Sequence, residues 1–246
     1  MKKLISFLYG IIAYVIFLAA FLYAIGFVGN LIVPKTIDSG TGTTFIRDLL
    51  VDSLLLSLFA IQHSVMARSG FKKWWTTIIP LAIERSTYVL LSSLTLLLLY
   101  WQWQPITTIV WKTENQTISV ILYAIYFFGW LVVLLSTFMI NHFELFGLKQ
   151  IFENMQNRQN EAHHAVLKTF FFYQIVRHPI MLGFIIAFWA TPIMTMGHLI
   201  FSIITTLYIL IAIKFLEEKD LRKIHGQEYE EYQKKVPMII PFTRRG

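Results

Sequence analysis

The chain has 246 residues, of which 56% are hydrophobic and 14% charged, with a formal net charge of +7 and no cysteine. A soluble domain carries about 25% charged residues, so this composition, with a mean hydropathy of +0.60, excludes an ordinary soluble fold and points to an integral membrane protein. The absence of cysteine excludes disulfides, thiolate metal sites, cysteine nucleophiles and palmitoylation.

Uncharged runs bounded by Leu4 and Lys35, Ser86 and Lys112, Asn115 and His142, and Pro179 and Lys214 are long enough to span a bilayer, which takes about 20 residues. The first segment covers 4–33. It is too long and too aromatic for a signal-peptide core and lacks a small-residue cleavage site, so it reads as a membrane helix. The second, 47–66, carries Asp52 inside it. The third is predicted over 86–103 and the fourth over 118–140. The last uncharged run is too long for one span. Pro192 and Gly197 in 191-TPIMTMGH-198 break it into a hairpin of 179–192 and 197–214 with a short first arm. The polar loop 148–168 is expected to be partly helical. The tail 214–235 reads as a charged helix leaving the bilayer, interrupted or capped at Gly226. After it, 236-VPMIIPF-242 is an apolar segment expected to fold back. The fold class expected is therefore an all-α polytopic membrane helix bundle of five to six transmembrane helices with a C-terminal helical hairpin and a cytoplasmic tail helix. It is read as a single domain, 1–246, built from N-terminal helices (1–140) and a C-terminal half (141–246). No internal repeat is visible, so the inverted-repeat signature of many transporters is missing.

Charge orients this topology. With the N-terminus inside, the inner segments hold Lys2 and Lys3, then Arg68, Lys72, Lys73 and Arg85, then Lys149, Arg158, Lys168 and Arg177, and finally eight basic residues from Lys214 onward, 18 in all. The outer loops hold Lys35, Arg47 and Lys112. That asymmetry obeys the positive-inside rule. It also assigns the net positive charge to membrane lipid and not to nucleic acid, and nothing in the sequence calls for an obligate protein partner.

An ionisable residue at the centre of a membrane helix costs about 2.5–3.5 kcal/mol on insertion scales and is a functional candidate by default. Asp52, Leu56, Phe59, His63 and Met66 recur on one face of the second segment. Asp52 and His63 lie about 16.5 Å apart along that helix, so they form no dyad. At the inner boundary stand 84-ERSTY-88, with Glu84 and Tyr88 one turn apart and Arg85 beside them, and 141-NHFELFG-147, with Asn141 and Glu144 on one face and His142 adjacent. Arg177, His178, Glu217 and Glu218 are expected at the same boundary, and this concentration of His and Glu points to a pocket opening to the cytoplasm. No G-x-G-x-x-G, P-loop or H-E-x-x-H is present, so no metal is expected. The pair His163–His164 reads as solvated.

The string 177-RHP-179 with Gly183, followed by 217-EExxL-221 and by G-x-x-Y-x-x-Y over 226–232, resembles the isoprenylcysteine carboxyl methyltransferase-like integral membrane methyltransferases over about residues 141–242. A narrower likeness, carried by 23-YAIGFVGN-30, 62-QHSVMAR-68, 84-ERSTYVL-90, 141-NHFELFGL-148 and 177-RHPIMLGFIIAFWATP-192, is to the bacterial methanethiol S-methyltransferases. The resemblance implies S-adenosylmethionine as methyl donor, methanethiol as the small thiol substrate and dimethyl sulfide as product. It implies a cofactor wall of Tyr173, Val176, Arg177, His178, Pro179, Met181 and Gly183, completed by Glu217 or Glu218. Met181 stands where the family pattern has Tyr. Pro179 fits the first position of a helix, whose positive end and Arg177 would suit the cofactor's carboxylate. Phe188, Trp189 and Tyr173 are expected to shield the adenine and sulfonium.

A thiolate is the nucleophile in such chemistry. An alkyl thiol of pKa roughly 8.5–10 is mostly protonated at pH 7, which costs about 2–4 kcal/mol, and one positioned base supplies a similar about 10²–10⁴-fold. His142 and His63 are the candidate bases, Glu84 or Glu144 their orienters, and Arg85 a stabiliser of the thiolate. Two other readings stay open on sequence: the same donor with another thiol, a prenylcysteine or a phospholipid amine as acceptor, and a transporter or sensor without enzymatic activity.

Overall fold

The computed structural model describes residues 2–156 and 167–243; the pair His163–His164 lies outside them. In chain order come α1 (Lys2–Gly29), α2 (Phe45–Ala67), α3 (Ser69–Trp75), α4 (Leu81–Gln102), β1 (Ile109–Lys112), α5 (Gln116–Ile140), α6 (His142–Leu145), α7 (Leu148–Met155), α8 (Phe172–Ile175), α9 (Pro179–Trp189), β2 (Ile193–Thr195) and α10 (Met196–Ala212). A π-helical turn (Ile213–Glu217), α11 (Glu218–His225) and α12 (Gln227–Lys235) follow. Among the described residues, five helices are long and apolar enough to cross a membrane: α1, α2, α4, α5, and α10 with its continuation to His225. The protein is an all-α polytopic membrane protein. The fifth predicted segment, α9, has 11 residues and reaches only about 16 Å at 1.5 Å per residue, about half the hydrocarbon thickness, and the pairing of β2 with β1 brings the chain after it to the level of the segment before α5.

The chain divides into two compact units, the described residues of 1–108, 141–162 and 196–198 in one, and those of 109–140, 163–195 and 199–246 in the other. The division cuts across the expected boundary at 140, because 141–156 pack with the N-terminal helices.

In the first unit α4 lies against both α1 and α2, and α7 against α1 and α4. Phe17 of α1 stacks on Phe146 with ring centroids 3.9 Å apart. Asp52, costly inside α2, is explained by a neighbour: its Oδ1 accepts the backbone N–H of Gln104 at 2.8 Å, just past the end of α4. Trp103 donates from Nε1 to the Ile37 carbonyl at 3.0 Å, which ties the loop after α1 to the same helix end. Asp48, in the first turn of α2, accepts from the Thr43 N–H and hydroxyl, both at 2.7 Å. A carboxylate there also meets the positive end of the helix.

In the second unit α9 lies along α5. The two backbones approach at a pair of glycines: a Cβ on Gly129 would sit 2.7 Å from the Gly183 carbonyl oxygen, and one on Gly183 would sit 2.7 Å from that of Gly129. Small residues permit such contact between membrane helices. The hairpin partner α10 meets α9 through side chains, with Ser202 donating to the Phe188 carbonyl at 2.7 Å and Trp189 Nε1 to Thr206 at 3.0 Å. At the expected break, β2 pairs antiparallel with β1, placing Ile109 opposite Thr195 and Lys112 opposite Ile193. Gly226 separates α11 from α12 with φ +56°, a conformation that costs glycine little and other residues much.

Replacing Gly183 by Val is expected to cost at least about 1–3 kcal/mol, the usual price of overpacking, because the obstructing atoms are backbone. Thermal unfolding of the detergent-solubilised variant should show a lowered midpoint, while an Ala187→Gly control leaves the crossing open.

Candidate functional site

The second unit gathers its buried charged side chains around Glu218. Arg177 Nε donates to Glu218 Oε1 at 2.9 Å, His178 Nε2 lies 2.7 Å from the same oxygen, and the Tyr229 hydroxyl donates to it at 3.0 Å. Gln233 donates its side-chain amide to Oε2. The Arg177 and Glu218 side chains are 7% and 4% exposed, so this is a buried, fully engaged ion pair. The remaining Arg177 reach goes to the carbonyls of Val236 and Gln233.

Local structure explains the convergence. Val176 caps α8 in extended conformation and Pro179 opens α9 at N1. Arg177 and His178 therefore lie in a short extended link with free backbone donors. The folded-back segment takes them: Arg177 N–H bonds the Pro237 carbonyl at 2.9 Å and His178 N–H that of Met238 at 3.1 Å. On the other side, the π-turn inserts one residue into the helix, and the Glu218 N–H reaches back to the Ile213 carbonyl. One extra residue rotates everything after it by about 100°. Glu218 thereby points inward, while Glu217 stays at the rim, its side chain 45% exposed with Oε2 3.5 Å from His178 Nδ1. Of the adjacent carboxylates, Glu218 is the internal partner and Glu217 the accessible one.

The other expected wall residues are taken up by internal packing. Tyr173 is buried; its hydroxyl donates to the Ser136 carbonyl at 3.4 Å and its own carbonyl accepts from Tyr232. Burial raises the Tyr173, Tyr229 and Tyr232 hydroxyls above the ordinary phenol range, so all three act as protonated donors. Met181 packs against the apolar cluster of Ile209, Ile213 and Ile239, and Gly183 serves the crossing with α5. Phe188 and Trp189 stand at the far end of α9, about 15 Å along the axis from His178, and Phe188 packs on Phe201 with ring centroids 5.0 Å apart. The length of α9 thus separates them from the Arg177 link.

The candidate proton acceptors belong to the first unit. His63 of α2 faces α4, with the Tyr88 hydroxyl 3.0 Å from both ring nitrogens and Ser92 Oγ 3.4 Å from Nδ1. Arg85 donates from Nε to the Leu145 carbonyl at 2.6 Å and lays its guanidinium over the Tyr88 ring, 5.0 Å from the centroid. Glu84 is buried in the first turn of α4. His142 Nε2 lies 2.9 Å from the Tyr14 hydroxyl, and burial lowers its pKa, favouring the neutral ring. Asn141 caps α6, accepting from the Glu144 N–H at 3.3 Å and donating to its carboxylate at 2.7 Å, while Lys149 holds the same carboxylate at 2.9 Å.

Sequence reasoning grouped Tyr88 with Glu84 and missed it as the partner of His63; the two residues are 25 positions apart on different helices. Gln233 was also missed. The signal was its position one turn after Tyr229 on α12, which puts both side chains on one face.

The phospholipid methyltransferase family matches residues 118–228. The chain is 53% identical over 242 residues to methanethiol S-methyltransferase 1 of Bradyrhizobium diazoefficiens, covering 98% of this chain and 84% of that protein. It is 49% identical over 245 residues to the methanethiol S-methyltransferase of Mycobacterium tuberculosis, covering 100% of this chain and 99% of that one. A fainter likeness, 25% over 190 residues, is to nurim of Mus musculus, covering 75% of this chain and 72% of nurim. No solved structure matches the chain.

Breaking a buried ion pair by removing one charge costs about 3–5 kcal/mol. Glu218→Gln should therefore abolish cooperative thermal unfolding or lower its midpoint by many degrees. Glu217→Gln, whose carboxylate is half exposed, should leave the midpoint within about 2 °C, the size of a surface change.

Proposed function

The chain belongs to the family of the methanethiol S-methyltransferases, and from that premise we propose that it methylates methanethiol to dimethyl sulfide with S-adenosylmethionine as donor. The observation that carries this reading is identity near one half over almost the full length of both chains. Identity at that level supports a shared reaction as well as a shared fold.

Bound S-adenosylmethionine would supply a methyl group on a sulfonium, electrophilic without further activation. The residues suit such a molecule. Glu217 offers an accessible carboxylate for ribose hydroxyls or the amino group, and the N-terminal end of α9 favours the donor's carboxylate. Arg177, His178, Glu218 and Tyr229 hold that rim in place through the buried pair. In the reaction the thiol sulfur forms the new C–S bond, the bond from methyl to sulfonium breaks with its electrons returning to the donor sulfur, and the S–H proton passes to a protein base.

The apolar thiol and product partition into lipid, which accounts for a membrane fold. The charge asymmetry of 18 basic residues against three supports an orientation with both termini and the donor site cytoplasmic, and the bacterial relatives support the inner membrane as the location. The match to the phospholipid methyltransferase family favours, as second reading, a phospholipid amine as acceptor with the same donor.

Purified protein in detergent, given methanethiol and S-adenosylmethionine, should release dimethyl sulfide into the headspace in a manner that needs both. Transfer of labelled methyl to phospholipid instead would overturn the thiol assignment. Glu217→Ala should raise the KM for S-adenosylmethionine about 10–100-fold, the worth of a charge-assisted hydrogen bond, with a smaller effect on kcat.

A further inference from the structure

The His178 ring stands between two adjacent carboxylates, its Nε2 2.7 Å from Glu218 Oε1 and its Nδ1 3.5 Å from Glu217 Oε2. The backbone fixes its place. The His178 N–H donates to the Met238 carbonyl and the His178 carbonyl accepts from the Leu182 N–H, both at 3.1 Å, so the ring leaves the chain at the N-cap of α9. The His178 and Glu218 side chains are each 4% exposed, that of Glu217 45%. The imidazole thus joins an enclosed carboxylate to an open one, all within the second unit.

Chemistry assigns the protons. Glu218 is held by the Arg177 guanidinium, the Tyr229 hydroxyl and the Gln233 amide, as suits an ionised carboxylate, and in that form it only accepts. Nε2 therefore carries a hydrogen, and Nδ1 decides the charge of the ring. In the neutral ring Nδ1 is a lone pair turned toward the Glu217 carboxylate, and the two repel. In the imidazolium it is an N–H that attracts the same oxygen.

Opposing influences act on that ring. Glu217 and Glu218 favour the imidazolium. Against it stand Arg177, next in sequence and bonded to the same Glu218 oxygen, the positive end of α9 and the enclosure of the ring. Tyr229 of α12 and Tyr173 of α8 add only neutral phenols. On the glutamates' own helix, Arg222 is held by the Glu218 carbonyl at 3.4 Å and Lys214 lies over the Phe215 ring. Glu217, half exposed, is the member of this set that a ligand can reach.

We propose that His178 is the positioning residue of Glu217, holding its carboxylate at the rim until the donor arrives, and that S-adenosylmethionine binding expels the Nδ1 proton. This rests on the donor reading above. The donor's ammonium group or a ribose hydroxyl takes the Glu217 oxygen that faced the ring. The N–H bond at Nδ1 breaks, its electron pair stays on nitrogen, and the proton passes to solvent at the open rim. His178 remains a neutral ring donating from Nε2 to Glu218. Because a proton leaves as the donor binds, affinity rises with pH through the range where imidazoles titrate.

Calorimetry of S-adenosylmethionine binding to the full-length protein in detergent, at pH 6.5 in two buffers of different ionisation enthalpy, counts the protons released. At that pH an α-amino group, titrating at about 7.7–8.0, stays charged, so the donor contributes little to the count. The parent should release about 0.3–0.8 proton per donor bound. Its Kd should fall about 3–10-fold from pH 5.5 to 7, less than the full worth of a neighbouring charge because Glu217 is half exposed. In His178→Gln, whose amide can still donate to Glu218, the release should vanish and the Kd should stay level with pH. Glu217→Gln should bind the donor more weakly and also release no proton. If His178→Gln does not fold, Glu217→Gln decides, its site being half exposed. A parent that binds without releasing a proton overturns the proposal, as does a release that persists in either folded variant. A parent that binds no S-adenosylmethionine overturns the donor reading and the proposal with it, a result distinct from binding without release.

Discussion

A carboxylate enclosed in protein loses several kcal/mol of hydration unless donors replace the water. Glu218 meets that cost by collecting Arg177, His178, Tyr229 and Gln233. These donors come from two pieces of chain, the link before α9 and the helix after Gly226, and the carboxylate itself comes from a third, at the end of the π-turn. The C-terminal segment has to lie against the Arg177–His178 link for the backbone bonds to Pro237 and Met238 to form. Satisfying one buried charge thus fixes the path of about sixty residues.

This arrangement separates support from contact. A side chain spent on internal hydrogen bonds is held rigid but has little left for a ligand, and one that meets ligand has to keep part of its surface free. Glu218 and Arg177 belong to the first kind, while Glu217 keeps the exposure that the second requires. The π-turn makes the division possible, since neighbouring residues on a helix point about 100° apart and the added residue decides which of the two faces inward. In the first unit hydroxyls perform the same service for imidazoles. Tyr88 and Tyr14 orient His63 and His142 without imposing a charge.

The membrane segments were legible because lipid leaves few options. A run without charge and about 20 residues long has to be helical to satisfy its own backbone, and α1, α2, α4, α5 and α10 begin and end within a few residues of the predicted limits, α4 starting earliest, at Leu81 instead of Ser86. Pro192 and Gly197 marked the break, although not the two-stranded pairing of β1 with β2, which joins residues more than 80 positions apart. Asp52 was legible as an anomaly and not as a bond to Gln104, because nothing local connects α2 with the end of α4.

What the sequence determined by itself is the class of protein, its membrane segments, and the residue types gathered in R-H-P and E-E. These follow from composition and from interactions between near neighbours. Only the tertiary structure decided which glutamate is buried, that Gly183 serves a helix crossing, that Phe188 and Trp189 stand at the far end of α9, and that His63 is held by Tyr88. Each of these depends on where distant segments meet, and on the rotation set by a single extra residue in a helix, and neither is encoded in local periodicity.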